Sequence, residues 1–376
     1  MHVHPQRDRI GFDDALINEE GRHHLGDGPD DYELFLQHSG YSGQELTHAM
    51  GNNEYVMRPW HLPESCHPTN WTTREMCRAI QRRDRRKPGL WYCSYAAPHP
   101  PITPPAEYLE LYRDIGIDDP IVGDWAANPD RIPYSLKRHN DRFLPLSSTE
   151  IRLARMGFYA QCTYIDHQIR LLIGTLREEG LLDNTIVMFT CDHGDMLGNH
   201  NLWCKPPLLE WSAKIPMILM PTADYRRSGH HQIDHRLVCL RDVMPTLLDL
   251  CDIPIPATVE GISMISEKRH GHLYGEHYED ERAARMVRRG NHKLIWYPVG
   301  NRCQLFDLQN DPQELRELSN DPGHAPVLRE MQQLIYENLW GDDREKWTAG
   351  GRLTGEPDRP CEPRPDRGLL GQRGWR

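Results

Sequence analysis

At 376 residues the chain can bury a sizeable core and exceeds the usual single-domain length, so a large domain with a smaller companion is expected. Charged residues at 26% and hydrophobic residues at 38% are ordinary for a globular protein, which sets aside the collagenous, low-complexity and membrane-embedded classes. A formal net charge of -11 argues against a nucleic-acid or membrane-surface binder, so an anionic ligand must be met by locally placed Lys, Arg or His.

No apolar run approaches the roughly 18 residues needed to span a bilayer, and the opening MHVHPQRDRIGF lacks the apolar centre of a signal peptide, which predicts a cytoplasmic setting. The ten cysteines contain no C-x-x-C pair and are read as buried reduced thiols. In chain order, residues 18 to 65 are polar, with Gly and Pro throughout, and are read as surface segments. From Pro68 the pattern is helical, with Trp71, Met76 and Ile80 spaced to share a face before the breaker Lys87-Pro88-Gly89. A strand is expected over LWYCSYA, ending at Pro98-His99-Pro100-Pro101, where prolines on both sides fix the backbone around His99. A structural histidine at a turn is the alternative there.

Residues 115 to 146 show no period and read as an excursion suited to a lid. The longest helix follows. Ser147 and Glu150 form a capping box, and Ile151, Ala154, Phe158, Cys162, Ile165, Ile169, Leu172 and Leu176 recur in steps of three and four until Gly180. This stripe is expected to be core. The run Ile186 to Thr190 predicts a strand buried on both faces that breaks at Asp192-His193-Gly194. A carboxylate and an imidazole at a strand's carboxyl end suit a divalent metal, and Lys205 offers a cation to an anionic substrate. For an isolated Asp-His-Gly, a polar turn and a surface lysine is the plainer reading.

Ile215 to Met220 predicts another buried strand, followed by Leu237 to Leu240 and a helix over Asp242 to Leu250. The intervening His230-His231-Gln232-Ile233-Asp234-His235 is read as a solvated loop rather than a second metal cluster. From Gly261 short strands are expected at His272 to Glu276, Ala284 to Arg288, Lys293 to Tyr297 and Gln304 to Asp307, then a helix from Ala325 to Leu339. The last 36 residues, rich in Gly and Pro with mixed charge, are expected to be disordered. The domains expected are therefore 1 to 260, 261 to 340 and a tail from 341.

The run DHGDMLGNHNLWCKPPLLEWSAKIPMIL resembles the metal-and-lysine segment of the sulfatases, in the alkaline-phosphatase-like superfamily. GFD at Gly11 to Asp13, AAPHPP at Ala96 to Pro101, DVMPTLLDLCDIP at Asp242 to Pro254 and LFDLQNDPQELRELSNDP at Leu305 to Pro322 match further family elements in order. The resemblance implies an α/β fold, a doubly wound and mostly parallel sheet of alkaline-phosphatase-like type with a smaller C-terminal α+β subdomain. It also implies hydrolysis of sulfate esters in which Asp192 and His193 hold one divalent metal, calcium by family default with manganese admitted by the histidine. Lys205 and His99 would then meet the sulfuryl group of a small anionic ester.

The family carries a G-K-x-H element ahead of GFD, so His2 is matched to its active-site histidine and His4 is the substrate-binding alternative. His67 is placed as a residue lining the pocket. The family's paired N-terminal aspartates and its formylglycine nucleophile, made in a C-x-P-S-R or S-x-P-S-R element, have no counterpart here, and the expectation is an N-terminally incomplete, impaired enzyme. Cys66-His67-Pro68-Thr69-Asn70 echoes that element but lacks its Ser and Arg. Two alternatives stay open: a phosphonate monoester or phosphodiester hydrolase of the same superfamily, and an inactive remnant that binds an anion or a partner.

Overall fold

The structure, a computed structural model, describes residues 5, 7–20, 28–143, 145–206, 208–227 and 233–362. The helices in chain order are α1 (Asp31–His38), α2 (Pro68–Gln81), α3 (Ala106–Glu110), α4 (Tyr134–Asn140), α5 (Ser148–Glu178), α6 (Glu210–Ala213), α7 (Ala223–Arg227), α8 (Val243–Leu250), α9 (Ala325–Asn338) and α10 (Gly341–Trp347). The strands are β1 (Val187–Thr190), β2 (Met217–Met220), β3 (Leu273–His277), β4 (Ala284–Arg289), β5 (His292–Tyr297), β6 (Arg302–Asp307), β7 (Thr348–Ala349) and β8 (Arg352–Leu353). They fall into two units, one from residues 1–119 and 146–183, the other from 120–145 and 184–368. The chain passes between the units at 119/120, 145/146 and 183/184. Among the described residues no helix is long and apolar enough to cross a membrane.

The first unit is helical. Its spine, α5, starts at the expected capping box, in which the Ser147 hydroxyl accepts from Glu150 N while the Glu150 carboxylate accepts from Ser147 N, and Gly180 at φ 66° ends it. The face it buries overlaps the predicted stripe at Ala154, Ile165 and Leu176 but is rotated from it. Ala154, Gly157, Ala160, Tyr164 and Ile165 are buried, whereas Cys162 is exposed and Ile151, Phe158, Ile169 and Leu172 are half-buried. Small residues explain the rotation, because a Cβ on Gly157 would come within 2.4 Å of Met57 and 2.6 Å of Ile102, so backbone and side chains approach closely there.

Helix α2 begins as expected at Pro68, with the His67 ring as its cap: Nδ1 accepts from Thr69 N at 3.1 Å and Nε2 donates to Thr103 O at 3.1 Å. Tyr32, Leu36, Cys66 and Trp71 pack as a satellite cluster beside it. The expected strand over Leu90 to Ala96 is absent. These residues alternate in exposure, as an extended chain does, yet pair with no ladder, and Leu90 and Tyr92 are largely exposed.

In the second unit β1 and β2 pair antiparallel, Val187 opposite Met220 and Thr190 opposite Met217. The mostly parallel, doubly wound sheet is therefore not seen among the described residues. Among the described residues of 191–216 a single 3-10 turn at Asn199–Asn201 and the one-turn α6 stand in place of a crossover helix, and the chain returns beside β1 in the opposite direction. Both strands are half-buried rather than fully buried, with Ile218 59% exposed. Of the His230 to His235 run, the first three residues lie outside the described residues, and Ile233 is exposed while Asp234 pairs with Arg236.

The C-terminal sheet follows the expectation within one or two residues, as an antiparallel meander in the order β3-β4-β5-β6. Helix α9 covers one face through Met331 and Ile335 against Leu294, Trp296 and Leu305. The opposite face, Ile295, Tyr297 and Phe306, is covered by Trp125, Leu136, Met196, Leu202 and Leu209. Trp125, Ala126 and Leu136, from the stretch expected as a lid, are thus core. Trp125 is fully buried and donates from Nε1 to Glu314 O at 2.8 Å. Residues 341–362, expected to be disordered, add α10, β7 and β8, with Trp347 buried edge-on against Trp296 at 6.1 Å. All ten cysteines are free, and of these only Cys66 and Cys204 are fully buried.

Two outcomes follow for the helical unit. Gly157→Ala is expected to lower its stability by about 1 to 3 kcal/mol through overpacking. Gly174→Ala on the same helix, where a new Cβ meets nothing within 4 Å, is expected to be neutral or to stabilise by up to about 1 kcal/mol. Denaturation midpoints of the two variants decide this.

Burial lowers the pKa of His67 to about 4, although its bond to Thr103 works the other way. The folded state therefore holds it neutral. Its contribution is complete above the ordinary histidine value and is lost as pH falls from there through about 4, amounting to about 3 kcal/mol. His67→Asn is expected to flatten the fall in stability over that window, measured by denaturant titration at stepped pH.

Candidate active site

The Asp-His-Gly turn leaves β1 with its side chains locally organised. Asp192 Oδ1 accepts from His193 N at 2.9 Å, and His193 Nδ1 donates to Gly194 O at 2.8 Å. A carbonyl can only accept, so Nδ1 carries a proton and the lone pair of the neutral ring sits on Nε2. That atom lies 3.5 Å from Asp192 Oδ2, and the Asp192 side chain is 83% exposed. An oxygen and a nitrogen at this separation, with the imidazole's second nitrogen fixed by a backbone carbonyl, fit a shared divalent ion.

The loop between this turn and Lys205 closes on itself. Met196 N donates to Cys204 O at 2.8 Å and Gly198 N to Leu202 O at 3.0 Å. Closure requires left-handed backbone at Leu197, His200, Asn201, Cys204 and Leu208, besides Gly198. His200 pins the loop with both ring nitrogens, Nδ1 accepting from Gly123 N at 3.0 Å and Nε2 donating to Gln313 O at 3.0 Å. Burial holds its pKa at about 4 despite that carbonyl. Helix α6 ties the ends together: Gly194 N donates to Ser212 O and Ser212 Oγ to Pro206 O, each at 2.8 Å. A Cβ on Gly194 would stand 2.2 Å from Trp211 O, so only glycine allows this approach.

His99 belongs to the helical unit. Its Nδ1 donates to Pro100 O at 2.7 Å, which again leaves Nε2 with the lone pair of the neutral ring. Gln161 on α5 holds both sides of this proline-rich turn, donating to Pro98 O at 3.2 Å and accepting from Thr103 N at 3.1 Å. Gln161 and His200 were missed in the sequence. A fully buried polar residue on a small-residue helix face was the available signal for the first, and a histidine inside the loop for the second.

The remaining expected residues divide differently. His67 is 2% exposed, and both its ring nitrogens are committed to the cap of α2 and to Thr103. His2 and His4 lie outside the described residues. Asp192 and His193 therefore stand together at the start of the closed loop, Lys205 follows the residue that closes it, and His99 lies within its own turn of the helical unit.

One other group of potential ligands, Cys239, Asp242 and His270, has ligand atoms within 4.8 Å of one another. The Asp242 oxygens already accept from Cys239 N and Ile262 N, each at 2.8 Å, and lie 2.9 and 3.0 Å from His270 Nε2. Arg236, Lys268 and Arg269 line the same crevice. A carboxylate saturated by backbone amides among cations anchors the turn into α8 and fits an ion poorly.

Comparison with known proteins bears on the whole arrangement. The Sulfatase family profile matches residues 28–253, and the profile of the N-sulphoglucosamine sulphohydrolase C-terminal region matches 198–339. The chain is 31% identical over 370 residues to an arylsulfatase of Clostridium perfringens, covering 94% of this chain and 76% of that protein. It is 30% identical over 258 residues to a choline-sulfatase of Rhizobium meliloti, covering 65% of this chain and 48% of the relative, so it spans about half of that protein. In fold it is similar to a phosphonate monoester hydrolase of Agrobacterium radiobacter, with a TM-score of 0.67 at 18% identity over 80% of this chain and 66% of the other. A profile match across more than half of the residues, joined to the Clostridium alignment over nearly all of them, establishes that this chain belongs to the sulfatase family.

Proposed function

We propose that the protein hydrolyses sulfate esters of small molecules with the help of a divalent ion shared by Asp192 and His193. The observation that carries this reading is the turn itself, where the His193 Nδ1–H is anchored to Gly194 O and its Nε2 lies 3.5 Å from Asp192 Oδ2. Calcium or manganese bound there would supply positive charge toward the sulfuryl oxygens. Lys205 adds a fixed cation on the same loop. His99, assigned from the family resemblance, would hold at Nε2 the proton that the leaving oxygen needs. No C-x-P-S-R or S-x-P-S-R element occurs among the 376 residues, so the nucleophilic step is assigned to none of them.

The test compares an aryl sulfate with an aryl phosphonate monoester, using the full gene product with added calcium or manganese and after chelation. Chelator-sensitive turnover that favours the sulfate is expected, whereas preference for the phosphonate would transfer the same residues to phosphoryl chemistry. Asp192→Asn should abolish tight divalent-ion binding with the fold retained, and stoichiometric ion in elemental analysis of that variant would refute the ligand assignment. Lys205→Ala should lower kcat/KM by the equivalent of about 3 kcal/mol, as removal of one oxyanion donor does. An unchanged kcat/KM would make Lys205 a surface residue.

A further inference from the structure

Strand β5 carries a lysine where its alternation calls for an apolar side chain. Lys293 lies on the same face as Ile295 and Tyr297, the face covered by the loop that bears Lys205, and it is 1% exposed. Its Nζ is 2.9 Å from Glu210 Oε1 on α6 and 2.6 Å from Glu314 Oε1, a carboxylate fully buried in the turn after β6. Glu314 Oε2 also accepts from Glu210 N at 2.7 Å, and Arg288 on β4 stands 3.3 Å from Glu210 Oε2. Burial raises the Glu314 carboxyl against the pull of Lys293. In Glu210 the burial penalty is outweighed by Lys293 and Arg288, and its pKa is lowered.

Buried ion clusters add little net stability over an apolar core of the same shape, because desolvation offsets their attraction. What they do supply is direction, since each bond fixes the position of one element against another. Here the element fixed is α6, whose residues hold Gly194 N through Ser212 O and Pro206 O through Ser212 Oγ.

We propose that Lys293, Glu210 and Glu314 are positioning residues that set the register between the Asp192-His193 turn and Lys205 by locking α6 to the C-terminal sheet. The inference rests on the reading of that turn and lysine as the sulfuryl site. An aliphatic pair in place of Lys293 and Glu210 could hold the core together, but it would leave α6 free to slide along the sheet. A displacement of α6 by a fraction of an ångström moves both ends of the site loop at once.

Lys293→Met in the full gene product tests this by hydrogen exchange and by divalent-ion titration. Exchange of residues 191–213 is expected to rise at least tenfold while β4, β5 and α9 keep their protection, and calcium or manganese affinity is expected to fall at least tenfold. In the triple variant Glu210→Gln/Lys293→Met/Glu314→Gln, relief of uncompensated charge should restore the thermal midpoint without restoring ion affinity. Lys346→Met, at the half-exposed pair with Glu356, is the control and should change neither readout. Unchanged exchange over 191–213, a uniform rise through the whole unit, or ion affinity that recovers together with the midpoint in the triple variant would overturn the proposal. Should the wild-type protein prove inactive on sulfate esters, the sulfatase reading fails, while the exchange experiment still decides whether Lys293 locks α6.

Discussion

The loop from Met196 to Leu209 is the most constrained piece of the molecule, and the candidate site depends on it. Four non-glycine residues other than asparagine, Leu197, His200, Cys204 and Leu208, take left-handed backbone there, at about 1 to 2 kcal/mol each. Such a conformation persists only where the surroundings determine it more strongly than the local preference does. Met196, Leu202 and Leu209 bury their side chains in the core, and His200 is tied through ring and backbone amide to residues 121, 123 and 313. Relaxed into an ordinary loop, the same chain would lose the Met196 N to Cys204 O closure that immediately precedes Lys205.

That requirement gives the C-terminal sheet its place. An antiparallel sheet usually leaves one face in water, but β5 is buried on both, under α9 on one side and under the strained loop and residues 125–136 on the other. The sheet is the floor on which the loop is cast. The loop after β1 and the C-terminal sheet accordingly fall in the same unit.

Legibility in the sequence followed the range of the forces involved. The capping box at Ser147, the start of α2 and the four strands of the meander were readable because cap chemistry, hydrophobic period and turn spacing act within a few residues. The strand expected over Leu90 to Ala96 had the right local pattern, but strand formation needs a partner, and composition does not report one. The face of α5 was misplaced because counting large apolar residues ignores Gly157 and Ala160, which allow the closest approach. The tail looked disordered by composition, while its first part is held by Trp347 against Trp296 and by ion pairs such as Arg285–Asp343 and Arg302–Asp358. For the proposed site, Asp192, His193, Lys205 and His99 were picked out by the family resemblance, since residue type and spacing alone favoured a polar turn and a surface lysine. The supports remained hidden, because positive φ at Leu197 or Cys204 and a buried charge at Lys293 run against the residues' ordinary preferences.

Histidines show how structure resolves what residue type leaves ambiguous. His67 and His200 commit both ring nitrogens to backbone groups, and burial lowers both pKa values to about 4, so each is a neutral structural pin. His99 and His193 are anchored differently, by Nδ1 to the carbonyl of the next residue, with the ring only half-buried. That short-range anchor sets the tautomer and the ring direction, so that the lone pair of the neutral ring sits on Nε2. A ring whose two nitrogens are both held by backbone groups, as in His67 and His200, would have to break a buried hydrogen bond before it could act as a ligand or proton carrier. Both His67 nitrogens therefore serve the cap of α2, while the anchored His193 ring beside Asp192 is the one proposed to hold an ion.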